Sequence, residues 1–119
     1  MDIITMMNKI KAHPGFPQAG MILCHNGVVR KTSREGEEVT GLEIVVDHEK
    51  LDAIIQEKKK TPGIVDILIH IEEGKPLNVG DDVMYLVVAG DIRENVIAIL
   101  TDTLNRIKSE VTKKTQFFK

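Results

Sequence analysis

Apolar residues along this chain switch between a three-to-four-residue spacing and a two-residue spacing, and the switches mark out its elements. Ile3, Met6, Met7 and Ile10 recur at helical spacing behind Asp2, a residue type that caps helix starts. The run stops before His13-Pro14-Gly15, where proline cannot continue a helix. After the irregular stretch Phe16 to Gly20, Met21-Ile22-Leu23-Cys24-His25 is short and apolar, which predicts a buried strand ending at Asn26-Gly27. Lys31 to Glu38 is polar and contains glycine, which predicts an exposed, mobile loop. A strand resumes at about Val39, where Leu42, Ile44 and Val46 alternate with Glu43 and Asp47 so that one face meets the core.

Leu51, Ile54 and Ile55 set a helical stripe from about His48 to Lys60, closed by Lys58-Lys59-Lys60 at the negative end of the helix dipole and stopped by Thr61-Pro62-Gly63. Ile64 to Ile71 and Val83 to Ala89 are β-branched, apolar runs separated by a stretch holding Gly74, Pro76 and Gly80, and they predict two neighbouring antiparallel strands. Ile92, Val96, Ile99, Leu100, Leu104, Ile107 and Val111 then predict a long last helix, behind an Asp91-x-x-Glu94 pair that resembles a capping box. Lys113 to Lys119 reads as a basic tail ending in two aromatic rings. The order α-β-β-α-β-β-α predicts one α+β domain over residues 1–119, a mainly antiparallel sheet with helices packed on one side.

A chain of 119 residues that is 42% hydrophobic can bury enough surface to fold without a disulfide or metal. With 16 basic and 18 acidic side chains the formal charge is −2, too small to draw in nucleic acid or an anionic membrane. Any anion site must be local. The single Cys24 and the lack of a signal-like or membrane-length apolar block lead us to expect a reduced, cytoplasmic protein.

Cys24-His25 suggests thiol or metal chemistry, but no second Cys and no closely spaced His pair accompany it, so buried strand residues are the simpler reading. His13, His48 and His70 are scattered, and no Walker-type or Gly-x-Gly-x-x-Gly loop is present. Arg30 leaves a strand directly after Gly27-Val28-Val29, where a rigid element could hold a guanidinium at a pocket edge to grip phosphate. A solvated arginine at a strand end is the competing reading. Arg93 sits in the first turn of the last helix, where free N–H groups also favour anions; a plain surface charge is again the alternative. Lys113 and Lys114 follow that helix, and a lysine among other cations can serve as acid, base or nucleophile, although terminal lysines are commonly just solvated.

Four ordered segments resemble the large, catalytic subunit of molybdopterin synthase over nearly the whole chain. They are Gln18-Ala19-Gly20 leading to Gly27-Val28-Val29-Arg30; Leu42-Glu43; Pro76-Leu77-Asn78-Val79-Gly80-Asp81; and Arg93 with Lys113-Lys114 around the last helix. The resemblance implies a hammerhead-like α+β sandwich and a homodimer. It implies a partner too, a small ubiquitin-like sulfur-carrier subunit whose Gly-Gly tail carries a thiocarboxylate. The sulfur would pass to cyclic pyranopterin monophosphate in molybdenum cofactor biosynthesis, with no metal or redox cofactor in this subunit. Arg30 and Arg93 match the family's substrate-binding arginines, and Lys113, with Lys114 beside it, matches the catalytic lysine of a Trp-Lys-Lys type motif.

The chain departs from the family at several of its motif positions. Where the family has a His-Arg pair before a Gly-x-Leu-x-Val-Gly stretch, this sequence has His70-Ile71-Glu72-Glu73; the His-Arg opening the last helix is Ile92-Arg93; the tryptophan is Thr112; and the sequence reaches Lys119, short of a further family lysine. These departures motivate an alternative, a non-catalytic paralogue that binds a ubiquitin-like carrier or a small anionic ligand.

Overall fold

Aspartates set the starts of the first two helices. In the computed structural model, which describes residues 1–119, Asp2 accepts a hydrogen bond from Thr5 N at 2.7 Å to open α1 (Ile3–Lys11), and Asp47 accepts one from Lys50 N at 3.2 Å to open α2 (His48–Lys59). The strands are β1 (Met21–Val28), β2 (Val39–Val46), β3 (Ile64–Ile71), β4 (Leu77–Asn78), β5 (Asp82–Gly90) and β6 (Thr112–Phe118). Between β5 and β6 run α3 (Arg93–Arg106) and a π-helical turn, Ile107–Val111. No helix is long and apolar enough to cross a membrane.

The strands form two antiparallel three-stranded sheets, β1-β5-β3 and β4-β2-β6. The α+β class, the antiparallel pairing and the three helices stand as expected. The placement of the helices differs. Leu86, Val87, Val88 and Ala89 of the central strand β5 are all fully buried, an unbroken run that only burial on both faces permits. Val87 and Ala89 pack with Met6 and Ile10 of α1, whereas Met84, Leu86 and Val88 join α2, α3 and the second sheet in the main core. Helices therefore cover both faces of the first sheet, not one.

Lys113 to Lys119 is not a tail. Residues 112–118 pair with β2 from Val46↔Thr112 to Val39↔Phe118, supplying the edge of the second sheet. Thr112-Lys113-Lys114-Thr115-Gln116 has no apolar alternation to announce a strand; backbone pairing to β2 makes it one, and its lysines suit an exposed edge. The short β4 is likewise invisible in the sequence. It pairs Leu77 and Asn78 with Leu42 and Gly41, where a Cβ on Gly41 would stand 2.4 Å from Leu77 O. Gly20 meets a similar demand, since a Cβ there would collide with the Asp91 carbonyl.

The capping box at α3 does not form. Asp91 Oδ1 instead accepts from Ile92 N and Asn95 Nδ2, at 2.7 and 2.9 Å, and Ile92 occupies the cap position with no side-chain bond. Cys24 is exposed, not buried. The 31–38 loop is exposed but ordered by local bonds: Thr32 bridges Glu38, and buried Ser33 accepts through Oγ from Glu37 N at 3.1 Å.

Candidate functional site

A cavity of about 370 Å³ opens where the two sheets meet. Its apolar wall comes from Leu42 and Ile44 of β2 and Val83 and Met84 of β5. Over this wall stand His25, Arg34, Lys108 and Lys114, drawn from β1, the 31–38 loop, the π turn and β6. No carboxylate is among the lining residues. Cations converging on an apolar floor, where charge interactions are less screened than in open water, suit a small oxyanion carried on an organic body.

Strand register decides which lysine lines the cavity. Lys114 pairs with Ile44, and directly paired residues share a face, so Lys114 lies on the cavity side with Leu42 and Ile44. Lys113 pairs with Val45 on the opposite face, where it borders a second hollow with Asp47, Lys50 and Glu110. Successive strand residues face opposite ways, so the Lys113-Lys114 pair is divided between two surfaces. Lys108 reaches the cavity because the helix widens before β6. Ile107 and Val111 are buried, with Ile107 O accepting from Thr112 N, and the intervening residues turn outward.

The arginines are separated. Arg30 is exposed, its Nε donating to Thr32 O at 2.7 Å, and it follows the Val28 end of β1 without lining the cavity. Arg93 follows the Gly90 end of β5, which pairs with Met21 at the other end of β1. Seven strand steps, roughly 23 Å, lie between those ends. Arg93 is 79% exposed and pairs only with neighbouring Glu94, at 3.2 Å. The chain brings Lys114 to the cavity and leaves Arg93 remote from it.

Three lining side chains escaped the sequence reading. Lys108 falls within an amphipathic helical run and looks like a surface charge. Arg34 sits in a polar loop whose local bonds, not its composition, hold it over the cavity. His25 stands beside Cys24, and both read as buried strand residues; the usable signal was that His25 and Gly27, two apart, must share a strand face. Burial, reinforced by the Lys108 charge, pushes the His25 imidazole below the ordinary histidine range. Cys24 has its thiol pushed up by partial burial, which keeps it protonated and a poor nucleophile. No three His, Cys, Asp or Glu side chains are grouped as metal ligands.

The glutamates at the family's His-Arg position are paired away from this cavity. Glu72 contacts His70 at 3.0 Å and Lys75 at 3.2 Å, which holds its carboxyl below the usual range, and Glu73 meets His48 at 2.8 Å.

The family description MoaE protein matches residues 2–110. The chain belongs to the MoaE family. A curated relative from Haloferax volcanii, described as a probable molybdopterin synthase, is 30% identical over 112 residues covering 90% of this chain and 42% of its own length. The chain thus spans less than half of that relative. Solved structures similar in fold include molybdopterin cofactor biosynthesis protein E from Burkholderia multivorans, with a TM-score of 0.78 at 23% identity, covering 100% of this chain and 82% of that one. A second is the molybdopterin synthase from Staphylococcus aureus, at 0.73 and 24%, covering 86% and 77%. A third, at 0.72 and 16%, covering 99% and 84%, is a protein–protein complex of subunits 1 and 2 of the molybdopterin-converting factor from Helicobacter pylori. MoaE membership agrees with the ordered segments around Arg30, Leu77 and Arg93, and the matched range takes in Arg34 and Lys108, two of the cavity's three cations.

Proposed function

We propose that residues 1–119 act as one molybdopterin synthase large-subunit domain, moving sulfur from the thiocarboxylated tail of a small carrier protein to cyclic pyranopterin monophosphate. The observation that carries the reading is the cavity, with basic side chains from four separate elements over an apolar wall, in a chain of the MoaE family. A Gly-Gly tail has no side chains and could enter beside Gly27, while the apolar wall would take the flat face of a pterin. Lys108 and Lys114 stabilise the oxyanion of thioester-like chemistry and pass protons, and Arg34 supplies further positive charge. Arg30, two residues beyond cavity-lining Val28, serves as a phosphate-binding residue. Lys113 faces away and serves β6 or a partner surface.

The remoteness of Arg93 bears on assembly. Arg93 contributes to the anion only if it comes from the partner protomer of a homodimer. Support for partner surfaces lies in the exposed apolar residues of the second sheet, Val45 at 61%, Phe117 at 39% and Phe118 at 50%. The Helicobacter pylori complex of two subunits supports a small-protein partner. Glu72 and Glu73 are absent from the cavity lining and are engaged with Lys75, His70 and His48, so neither carboxylate faces the proposed anion site.

Mixing the protein with a thiocarboxylated carrier and the cyclic precursor should yield molybdopterin. Lys108→Ala and Lys114→Ala should each lower the rate by about 10²–10³-fold, the scale of losing an oxyanion-stabilising group. Carrier binding without product, using a competent carrier, would sink the catalytic reading and leave the non-catalytic paralogue.

A further inference from the structure

His25 is the cavity residue with no role so far, and its surroundings are unusual. The ring lines the cavity, yet Nε2 is buried and meets no hydrogen-bond partner in the chain. Buried polar nitrogens in folded proteins nearly always have one, so an unpaired one beside a cavity points to a ligand atom as its partner. Gly27 adjoins the ring: a Cβ there would stand 3.4 Å from His25 Nε2 and 3.3 Å from Met84 Cγ, in close contact with both.

The cavity beside the ring is lined by apolar groups, cations and the Thr112 hydroxyl, with no carboxylate. Val83 and Met84 come from β5, Leu42 and Ile44 from β2, and Thr112 and Lys114 from β6, with Lys108 from the π turn and Arg34 from the loop. Burial and Lys108 disfavour the imidazolium, so the ring is neutral at neutral pH. An oxyanion seated among these cations changes both causes, because its charge offsets Lys108 and its oxygen gives a ring N–H the acceptor that is missing. We propose that His25 is a further anion-binding residue of this cavity, its ring turning about the Cβ–Cγ bond so that Nε2, covered in this structure, donates to a bound oxyanion. The ring is then neutral before the ligand enters and protonated while it is bound. This rests on reading the cavity as an oxyanion site. The oxyanion is either the phosphoryl group of a small molecule or the carboxylate-type end of a peptide tail.

The test follows the histidine ring signals by NMR from about pH 6 to about pH 8, the range in which imidazole titrates. Two probes keep their own charge constant there: inorganic sulfate for the phosphoryl group, and an N-acetylated peptide ending in Gly-Gly with a free carboxylate for the tail. Substituting His13, His48 and His70 in turn identifies the His25 signal in the unaltered protein, whether or not His25→Gln folds. The expected result is a His25 pKa that rises on saturation with at least one probe, and the probe that raises it names the source. Affinity for that probe should weaken by up to about tenfold per pH unit between the free and bound pKa values, and His25→Gln should remove the dependence. A His25 pKa unmoved by both probes, or an equal pH dependence in His25→Gln, overturns the proposal. Sulfur transfer can survive that outcome, and loss of sulfur transfer with an intact His25 response would strike only the catalytic reading.

Discussion

His25 and His48 show how two histidines of one chain acquire opposite pH behaviour. Glu73 bonds to His48 and raises its pKa above the unfolded value, so the stability this pair adds is complete below the unfolded pKa and fades as pH rises through the folded one. His25 is depressed by burial and Lys108, so the unfolded chain binds the proton first as pH falls below the ordinary value of about 6.5, and stability drops. Urea midpoints should therefore fall less on the acid side for His25→Gln than for the unaltered chain, with the difference opening below about pH 6.5. Parallel curves would mean that the imidazole is not desolvated in the folded state. Neither behaviour was legible from residue type. His25 needed the packing of β1 against Lys108 and Met84, and His48 needed the turn that carries Glu73 back over α2.

At the level of elements, the join between α3 and β6 matters most for the cavity. The periodicity of Val96, Leu100, Leu104, Ile107 and Val111 marks a helix, and it remains helical through Arg106. The π turn then spends extra residues per turn, anchors itself by Ile107 at 0% and Val111 at 4% exposure, and aims the chain into β6. Ile107→Ala should lower the unfolding free energy by about 2–5 kcal/mol, read from urea denaturation, because it empties a fully buried site next to Lys108. A loss below about 1 kcal/mol would mean that the turn collapses to fill the space. The boundaries of α1, α2 and β3 were legible because each has its own stop: Pro14, Thr61-Pro62-Gly63, and the polar Glu72-Glu73. β4 and β6 had no such signal, since their pairing is made by distant partners on β2.

The whole molecule is elongated, 48 × 25 × 24 Å, with a radius of gyration of 15.2 Å against about 13.5 Å for a compact chain of this length. Val45, Phe117 and Phe118 of the second sheet stay exposed while Leu42 and Ile44 of the same sheet are buried. Aromatic anchors dominate the energetics of most protein interfaces. In the proposed homodimer, Phe117→Asp combined with Phe118→Asp should weaken self-association by more than about tenfold in sedimentation equilibrium. An unchanged dimer constant would move the interface away from β6, and a monomeric parent chain would remove the partner-protomer role of Arg93.

Local patterns were enough to reach an α+β chain with three helices, a buried β5 and the ordered motifs of the MoaE family, because periodicity and caps are read within a few residues of one another. The composition of the cavity was decided at longer range. Lys114 rather than Lys113 faces the cavity because of the β2–β6 register, a choice that a shift of one residue would reverse. His25 and Arg34, from β1 and the loop after it, meet Lys108 and Lys114 from the other end of the chain, and Arg93 stays at the far end of β1. Charge convergence is a property of packing, and neighbours along the chain carry little information about it.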